Sequence, residues 1–542
     1  MHSLRGFLYG VLLLLLCVCA LGADAKEQAP LKSKYNTASR NVAIIGAGSA
    51  GASTAYYLRK FAELSGVPPN ITVFERETYI GGRSTTVDVF DNPSYPVELG
   101  ASIFVSINHN LMDAAKELGL KISSAGGDRP KDSDKMLGIW DGDSFVYTQG
   151  HSLSWWEMAK LLWRYGLAPI RIQSLMKNTV NKFLEMYKPP YFPFSSLSSA
   201  VQALDLLQAT AVTGAQFLET NGISKSFSNE IIQSSTRVNY GQNLGLIHGL
   251  ETMVCMATDG AVAIEDGNWR IFSGMLDSSR ADIRLNSTVT AIEVNSDETL
   301  TLSYSINGSS ISSSTFDDIV IAAPFQYSNI ELSPSLESIP DKVPYVKLYV
   351  TLFASPHRIS PQYFNLSKQK DVPDMILTTL PKGLDLGSRE DGVGPTSFWS
   401  ISLLRIVEAP AEGPHQQHYV YKVFSPERPT AGFLASVLGV EIPEANQNGT
   451  IGDISRKDVS WVHEKTWHPY PYEYPRVTFE KIRLASNIWY TGGIESFIST
   501  METSSLMGMN VAGLMTNEWQ DKLQLGKPVN WSGWAGQRNR EL

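Results

Sequence analysis

The residues whose types and spacing could do chemistry begin at "NVAIIGAGSAGASTAYYLRK" (41–60), where Gly46, Gly48 and Gly51 give G-x-G-x-x-G. The first glycine permits a tight turn, the second lets the backbone approach a pyrophosphate, and the third lets a helix pack on the preceding strand. Val42, Ala43, Ile44 and Ile45 form the short apolar run of a buried parallel strand. Ser49 opens the helix, whose free N–H groups face the phosphates. A second strand, "ITVFER" (71–76), ends with Glu75 and Arg76, and Glu75 stands 24 residues after Gly51, where an acid can accept from both ribose hydroxyls. The chemistry indicated is dinucleotide binding.

A second glycine pair follows in "RETYIGGRSTT", with Gly81, Gly82 and Arg83. An acid followed so soon by Gly-Gly-Arg resembles the extended signature of FAD enzymes of the amine-oxidase and glutathione-reductase type. That resemblance implies that Gly82 and Arg83 pass along the pyrophosphate and flavin. No second G-x-G-x-x-G has a strand before it, which speaks against a separate NAD(P)H domain. Reoxidation by oxygen suits this better than reduction by a nicotinamide.

The elements that must position these residues follow an interleaved plan. Residues 40–125, 241–325 and 486–520 read as one FAD-binding domain of Rossmann type, built from discontinuous segments. Residues 126–240 and 326–485 read as an α+β substrate domain. The fold class is α/β. The 126–240 stretch is helical and aromatic ("SWWEMAKLLWRYG", "IQSLMKNTVNKFLEMY"), unlike nucleotide-binding texture. "YVKLYVTLF" and "HYVYKVF" suit a mixed sheet forming the floor of a substrate cavity. In the FAD class resembled here, the backbone of a strand centred on Val289 contacts the adenine. "NIWYTGGIESFISTMETSSLMGMNVAGLM" (487–515) reads as a strand, a turn at Gly492 and Gly493, and a long helix carrying Glu502, a third contact with the flavin.

Composition bounds the address and the partners. The chain has 542 residues, 43% hydrophobic and 18% charged, enough for two or three cores. Its net charge of −9 points away from nucleic acid. Arg5, an apolar run from Phe7 to Leu21 and small residues after it read as a signal peptide over residues 1–23. The run of 15 is shorter than the ~20 a membrane span needs, and an uncleaved anchor is the alternative. Cys17 and Cys19 leave with the signal, so Cys255 remains without a disulfide partner, read as a small buried residue. Sequons at Asn286, Asn307, Asn365, Asn448 and Asn530 suit glycosylation on a secretory route, and Asn70, at the start of a core strand, is expected to be too hidden. Residues 151–190 carry six Lys or Arg against two acids with three tryptophans, which suits weak contact with an anionic bilayer surface or, on the other reading, a solvated helix face. The nine histidines show no metal-ligand spacing, and no metal is expected; His248 and Glu251 read as structural.

Further stretches narrow the resemblance. "FERETYIGGR", "VELGASIF" with "NHNL", "RVNYGQN" (237–243), "IEDGNWRIFSGML" (264–276) and "GGIESFISTMETSS" (492–505) occur in order. With them the chain resembles the prenylcysteine oxidase (prenylcysteine lyase) family over roughly residues 40–515. The resemblance implies noncovalent FAD, oxygen as acceptor, a prenyl thioether substrate such as farnesylcysteine, and a lysosomal or vacuolar setting; secretion is the other destination of the signal. The chemistry is reasonable: removing hydride from the carbon bonded to sulfur leaves a cation shared by sulfur and the allyl system, water adds, and the hemithioacetal collapses to an aldehyde and cysteine. No enzyme nucleophile or metal is needed, only orientation and a dry apolar slot. Trp155, Trp156, Trp163, Tyr187, Tyr191, Phe192 and Phe194 are candidates for that slot, beside ordinary helix packing. Lys347 in "YVKLYVTLF" matches the lysine that amine-oxidase relatives use to hold a water near flavin N5, so it is the candidate catalytic residue, with a surface lysine on a strand as the alternative. An amine or specialised-metabolite oxidase on the same scaffold, and a flavin carrier without turnover, remain open.

Overall fold

The computed structural model describes residues 39–124, 133–152, 155–410, 416–525 and 529–541. The signal-peptide expectation (residues 1–23) lies outside the described residues. A six-stranded sheet forms one half of the fold, in the order Asp282–Arg284, Pro69–Phe74, Arg40–Ile45, Asp318–Ile321, Ile488–Tyr490 and Arg483–Ala485. The first five strands are parallel, and Arg483–Ala485 closes the edge antiparallel. Val42 pairs with Ile71 on one side and Asp318 on the other. The central strands are apolar because helices and a second sheet cover both faces. The architecture is α/β with a Rossmann-like core, as the glycine turn and strand runs predict.

The other half is a seven-stranded mixed sheet, in the order Trp461–Trp467, Leu348–Ser355, Gln417–Ser425, Ser400–Glu408, Met375–Thr378, Leu137–Trp140 and Phe145–Gln149. Only the Met375–Thr378 and Leu137–Trp140 pair runs parallel. A four-stranded sheet built on Ser287–Val294 packs its buried face against the Rossmann strands, where Val289, Ile292 and Phe74 share one core.

Two helices lock the Rossmann half. The Ser49–Ser65 helix follows the glycine turn, and the Met501–Lys522 helix lies across it. Their contact is close because it is made by small residues: Ser53 Oγ donates to Ser505 Oγ at 2.7 Å, and Ser49 Oγ donates to the Met501 carbonyl at 2.6 Å. A Cβ on Gly508 would stand 2.3 Å from the Ala50 carbonyl oxygen. Asp318, 1% exposed, braces the far end, accepting from Arg40 Nη2 at 2.9 Å and from the indole N–H groups of Trp519 and Trp489 at 2.9 and 3.3 Å.

Gly508→Ala is therefore expected to force the two helices apart. The loss should be about 1–3 kcal/mol, the usual range for overpacking, and a lowered urea midpoint at unchanged slope checks it. An unchanged midpoint would mean that the helices do not touch there.

Candidate functional site

The glycine turn is dictated by its neighbours. Gly46 has φ +111°, and a Cβ there would lie 2.7 Å from the Ala322 carbonyl oxygen. A Cβ on Gly51 would lie 1.9 Å from the Gly46 carbonyl oxygen. Gly48 differs: it is extended, and a Cβ there would find its nearest atoms, in Gly81 and Gly82, only at 3.9 Å. The opening at Gly48 is walled by the second glycine loop, held by the Gly81 N–H donating to the Ala47 carbonyl at 3.0 Å. The Ser49–Ser65 helix starts at this opening with no side-chain cap and no acid in its first turn. Its uncapped N–H groups and the space above Gly48 fit a pyrophosphate.

Glu75 stands beside this cradle, buried, its Oε2 accepting from the Ala47 N–H at 2.8 Å and its Oε1 from the Glu77 N–H at 2.9 Å. Both oxygens already hold one backbone donor, and each carboxylate oxygen has a further lone pair for a ribose hydroxyl. The Ser287 N–H donates to the Glu75 carbonyl at 2.8 Å, which brings the Val289 strand alongside. The Val289 side chain is in the core, so only backbone is available there. Arg76 is exposed and donates to the Tyr327 carbonyl at 3.2 Å.

The sequence marked Arg83 but missed its partner. Arg83 forms a two-pronged pair with Glu495, at 2.8 and 2.6 Å, and also donates to the Pro469 carbonyl. Tyr345 Oη donates to the same Glu495 at 3.0 Å. Burial alone would lower the Arg83 pKa; Glu495 reverses this and raises it, so the guanidinium is fixed as a cation. The pair ties the Gly81–Arg83 loop to the Gly492–Ser496 turn, where Gly493 packs on Glu480 and Gly492 on Tyr490. Glu495, Tyr345, Gly492 and Gly493 line one cleft with Phe325 and Glu480. Glu502 is committed to protein: its Oε1 accepts from the Asn110 N–H and Tyr187 Oη at 2.9 and 2.8 Å, and its Oε2 from the Leu111 N–H at 3.0 Å. It caps the His109–Glu117 helix.

Two of the specific motifs prove to be polar stitches. Arg237, fully buried, donates to Thr378, Asn243, Val393, Gly392 and Thr396 and lies over the Trp399 ring. Gln242 bridges the Pro471 carbonyl and the Glu473 N–H, and Tyr240 Oη donates to the Ser499 carbonyl at 3.1 Å. "RVNYGQN" thus joins the mixed sheet, the 469–474 wall and the turn after Gly492. Asn268 does the same for Glu98, Ala101 and Ile264.

Several expectations are corrected. Lys347 is a surface residue: Val346 and Leu348 on either side are buried, and strand alternation turns Lys347 outward over the Tyr349 ring. Trp163 is 92% exposed and Trp155 69%, so neither lines a slot. Phe192 packs on Phe61, Trp531 and Trp534, while Tyr187 and the backbone of Phe194 bond to the Met501–Lys522 helix. The Trp156 side chain lies outside the described residues. Asn70 is exposed rather than hidden, because its side chain alternates away from the core. Cys255 is buried, and burial pushes its thiol well up. Sequence spacing gave no metal group, yet His248, Glu251 and Glu473 bring one ligand atom each within 4.8 Å, a convergence across more than two hundred residues that local spacing does not reveal.

The sequence pattern of prenylcysteine lyase matches residues 148–526, and that of an NAD(P)-binding Rossmann-like domain matches residues 44–118. Prenylcysteine oxidase 1 of Rattus norvegicus is 30% identical over 95% of each chain. Farnesylcysteine lyase of Arabidopsis thaliana is 28% identical over 89% of each. Among solved structures, putrescine oxidase bound to putrescine aligns with TM-score 0.53 at 13% identity, over 88% of this chain and 99% of that one. Cyclohexylamine oxidase of Brevibacterium oxydans aligns with TM-score 0.51 at 16% identity, over 89% of this chain and all of that one. The structural likeness shows a shared fold.

Arg83→Met leaves Glu495 with Tyr345 alone and should cost roughly 1–3 kcal/mol, the range for a buried acceptor losing a charged donor. Lys347→Met should stay within about 0.5 kcal/mol of the parent. Urea unfolding of the two variants side by side checks both, and equal losses would contradict the placement of Lys347.

Proposed function

This chain belongs to the prenylcysteine lyase family, and from that premise we propose that it is an FAD-dependent oxidase cleaving farnesyl- or geranylgeranylcysteine with oxygen and water. The products are cysteine, an isoprenoid aldehyde and hydrogen peroxide. What carries this function is the meeting, on one chain, of the family pattern over residues 148–526 with the two-loop glycine cradle around Gly48.

FAD, when bound, supplies the acceptor for hydride from the carbon bonded to sulfur and passes the electrons to oxygen. The chain's own residues bind and orient. The opening at Gly48 and the N–H groups from Ser49 onward take the pyrophosphate, Glu75 the ribose, and the strand at Val289 offers backbone to the adenine. Gly82 and Arg83, held by Glu495, set the second loop, and Gly492 and Gly493 supply the third segment. A C–S bond to an allylic carbon resists hydrolysis. After hydride loss the carbon is cationic and water adds without an enzyme nucleophile. Cys255, buried with its thiol pushed up, and Lys347, on the surface, are not called upon.

The same function suggests a route and a surface. The leader suits secretory entry and a lysosome or vacuole, where prenylated proteins are degraded, or release from the cell. Asn307, Asn365, Asn448 and Asn530 are exposed and Asn286 is half-buried, a disposition that suits glycosylation. Among the described residues no helix is long and apolar enough to cross a membrane. Trp155, Met158, Trp163, Leu167 and Ile170 are all exposed large apolar residues at one helical corner, with Lys160 and Lys177 exposed on the same two helices. Such a corner suits contact with an anionic bilayer, where a lipophilic thioether partitions.

Farnesylcysteine and air should yield free thiol and aldehyde in equal amounts with matching oxygen uptake; thiol without oxygen uptake would overturn the oxidase reading. Gly48→Val keeps an allowed backbone and its Cβ has room, so it should fold yet purify without FAD. A folded variant with full flavin content refutes the cradle. Trp163→Ser with Leu167→Ser should lose flotation with anionic vesicles while cleaving soluble substrate at the parental rate, and unchanged flotation removes the bilayer contact.

A further inference from the structure

A buried acid cluster lies behind the turn that follows Gly492. His248, Glu251 and Glu473 are each 0% exposed. Backbone contacts fix them: the His248 N–H donates to the Glu473 carbonyl at 2.7 Å, and the Glu473 N–H donates to Gln242 Oε1 at 2.9 Å. Yet all four carboxylate oxygens of Glu251 and Glu473 lack a hydrogen bond of good geometry. The donors that approach Glu251 are Tyr240 Oη and the Ser499 N–H, and Tyr240 Oη already donates to the Ser499 carbonyl. Two ionised carboxylates side by side, both cut off from bulk solvent, are strongly disfavoured. They need a cation or a proton.

The histidine decides between these. His248 Nδ1 accepts from the Glu251 N–H at 3.1 Å, capping the Gly249–Met256 helix. A neutral ring with Nδ1 as acceptor carries its hydrogen on Nε2. Nε2 therefore carries an N–H, with the Phe497 carbonyl approaching the ring and Glu473 Oε2 at 3.7 Å, beyond hydrogen-bond reach, and it has no lone pair for a metal. The charges that face the pair are Arg476, which donates to Ser496 Oγ at 2.7 Å, and Glu495, already held by Arg83. Tyr240, Cys255 and Tyr470 also surround it, and burial pushes all three up, so they stay neutral. Burial pushes His248 down to about 3, so it is neutral as well. Among the described residues the cation that faces the two acids is Arg476, which Glu480 also draws on, so at least one negative charge is left to be cancelled by a proton.

We propose that Glu251 and Glu473 hold one proton between them, and that this bound proton positions the Ser496–Ser499 segment and, through it, the third side of the flavin site. Glu251 and Glu473 are positioning residues, and the inference rests on the FAD reading above. Burial raises both carboxyls. A folded pKa above the unfolded one means that the folded state holds the extra proton. The stabilisation is complete below the ordinary glutamate value and is lost as pH climbs through the raised one. The flavin site is thus built to be tightest in acid.

The test is FAD retention against pH, read by ultrafiltration and free-flavin fluorescence, on the full chain and on Glu251→Gln and Glu473→Gln. An amide is a permanently neutral stand-in for the protonated acid. The parent's flavin dissociation constant should rise about tenfold or more between about pH 5 and about pH 9, tenfold corresponding to one unit of pKa difference. Either amide should flatten that rise while keeping the value found in acid. A second readout is the carboxylic C=O infrared band at neutral pH: the component owed to the pair should be lost in Glu251→Gln with Glu473→Gln, while that of Glu98, which burial raises to about 7, remains. Identical pH profiles in parent and variants overturn the proposal. So does stoichiometric zinc or manganese uptake that Glu473→Gln abolishes, which would make the cluster a metal site. A parent protein colourless at every pH would fail the FAD reading instead, and the infrared difference between parent and double variant would then decide the proton alone, a null difference overturning the pair.

Discussion

Everything in this structure depends on backbone meeting backbone at glycine. A Cβ at Gly46 would strike the Ala322 carbonyl, one at Gly51 the Gly46 carbonyl, and one at Gly508 the Ala50 carbonyl. The first strand and its turn are therefore approached closely from the strand ending near Ala322 and from the helix that begins at Met501. Ser49 and the Met501 carbonyl are 452 residues apart in sequence and 2.6 Å apart in space. A domain assembled this way must wait for the Met501–Lys522 helix before its first turn is complete. Such long-range closure costs chain entropy early and returns packing late.

The polar stitches follow from that constraint. Segments interleaved in sequence need joints that hold them in register where they cross. Arg237 spends its guanidinium on Thr378 of the mixed sheet, on the Gly392–Thr396 loop and on its own motif, with no carboxylate partner among the described residues. Arg83 and Glu495 join the second glycine loop to the turn after Gly492. Arg237 and Glu495 are buried and Arg83 is half-buried, and all three are hydrogen-bonded, so each removes alternatives as well as adding contacts. The cradle at Gly48 is left as the open place among crowded ones, and that contrast identifies it as the ligand side of the turn.

Much of this was legible in the sequence. The glycine spacing, the apolar strands and the acid at Glu75 are local signals with local causes, and they place the Rossmann half. "RVNYGQN" and "DGNWRIFSG" stood out as unusual runs, although only the fold shows that they join distant segments. Other features were hidden for physical reasons. Lys347 lies one residue from buried neighbours on each side, and alternation alone decides which way it points. Aromatic density in 151–194 does not separate Trp163, on the surface, from Phe192, in the core. Glu495 and Glu473 were invisible because their partners, Arg83 and His248, come from remote parts of the chain.

The central claim is that the cradle holds a flavin which takes hydride from a prenyl thioether. Anaerobic titration of the purified yellow protein with farnesylcysteine tests it most directly, followed through the flavin absorbance against a panel of amines. Stoichiometric bleaching by the thioether and none by the amines is expected. Bleaching by an amine with none by farnesylcysteine contradicts it.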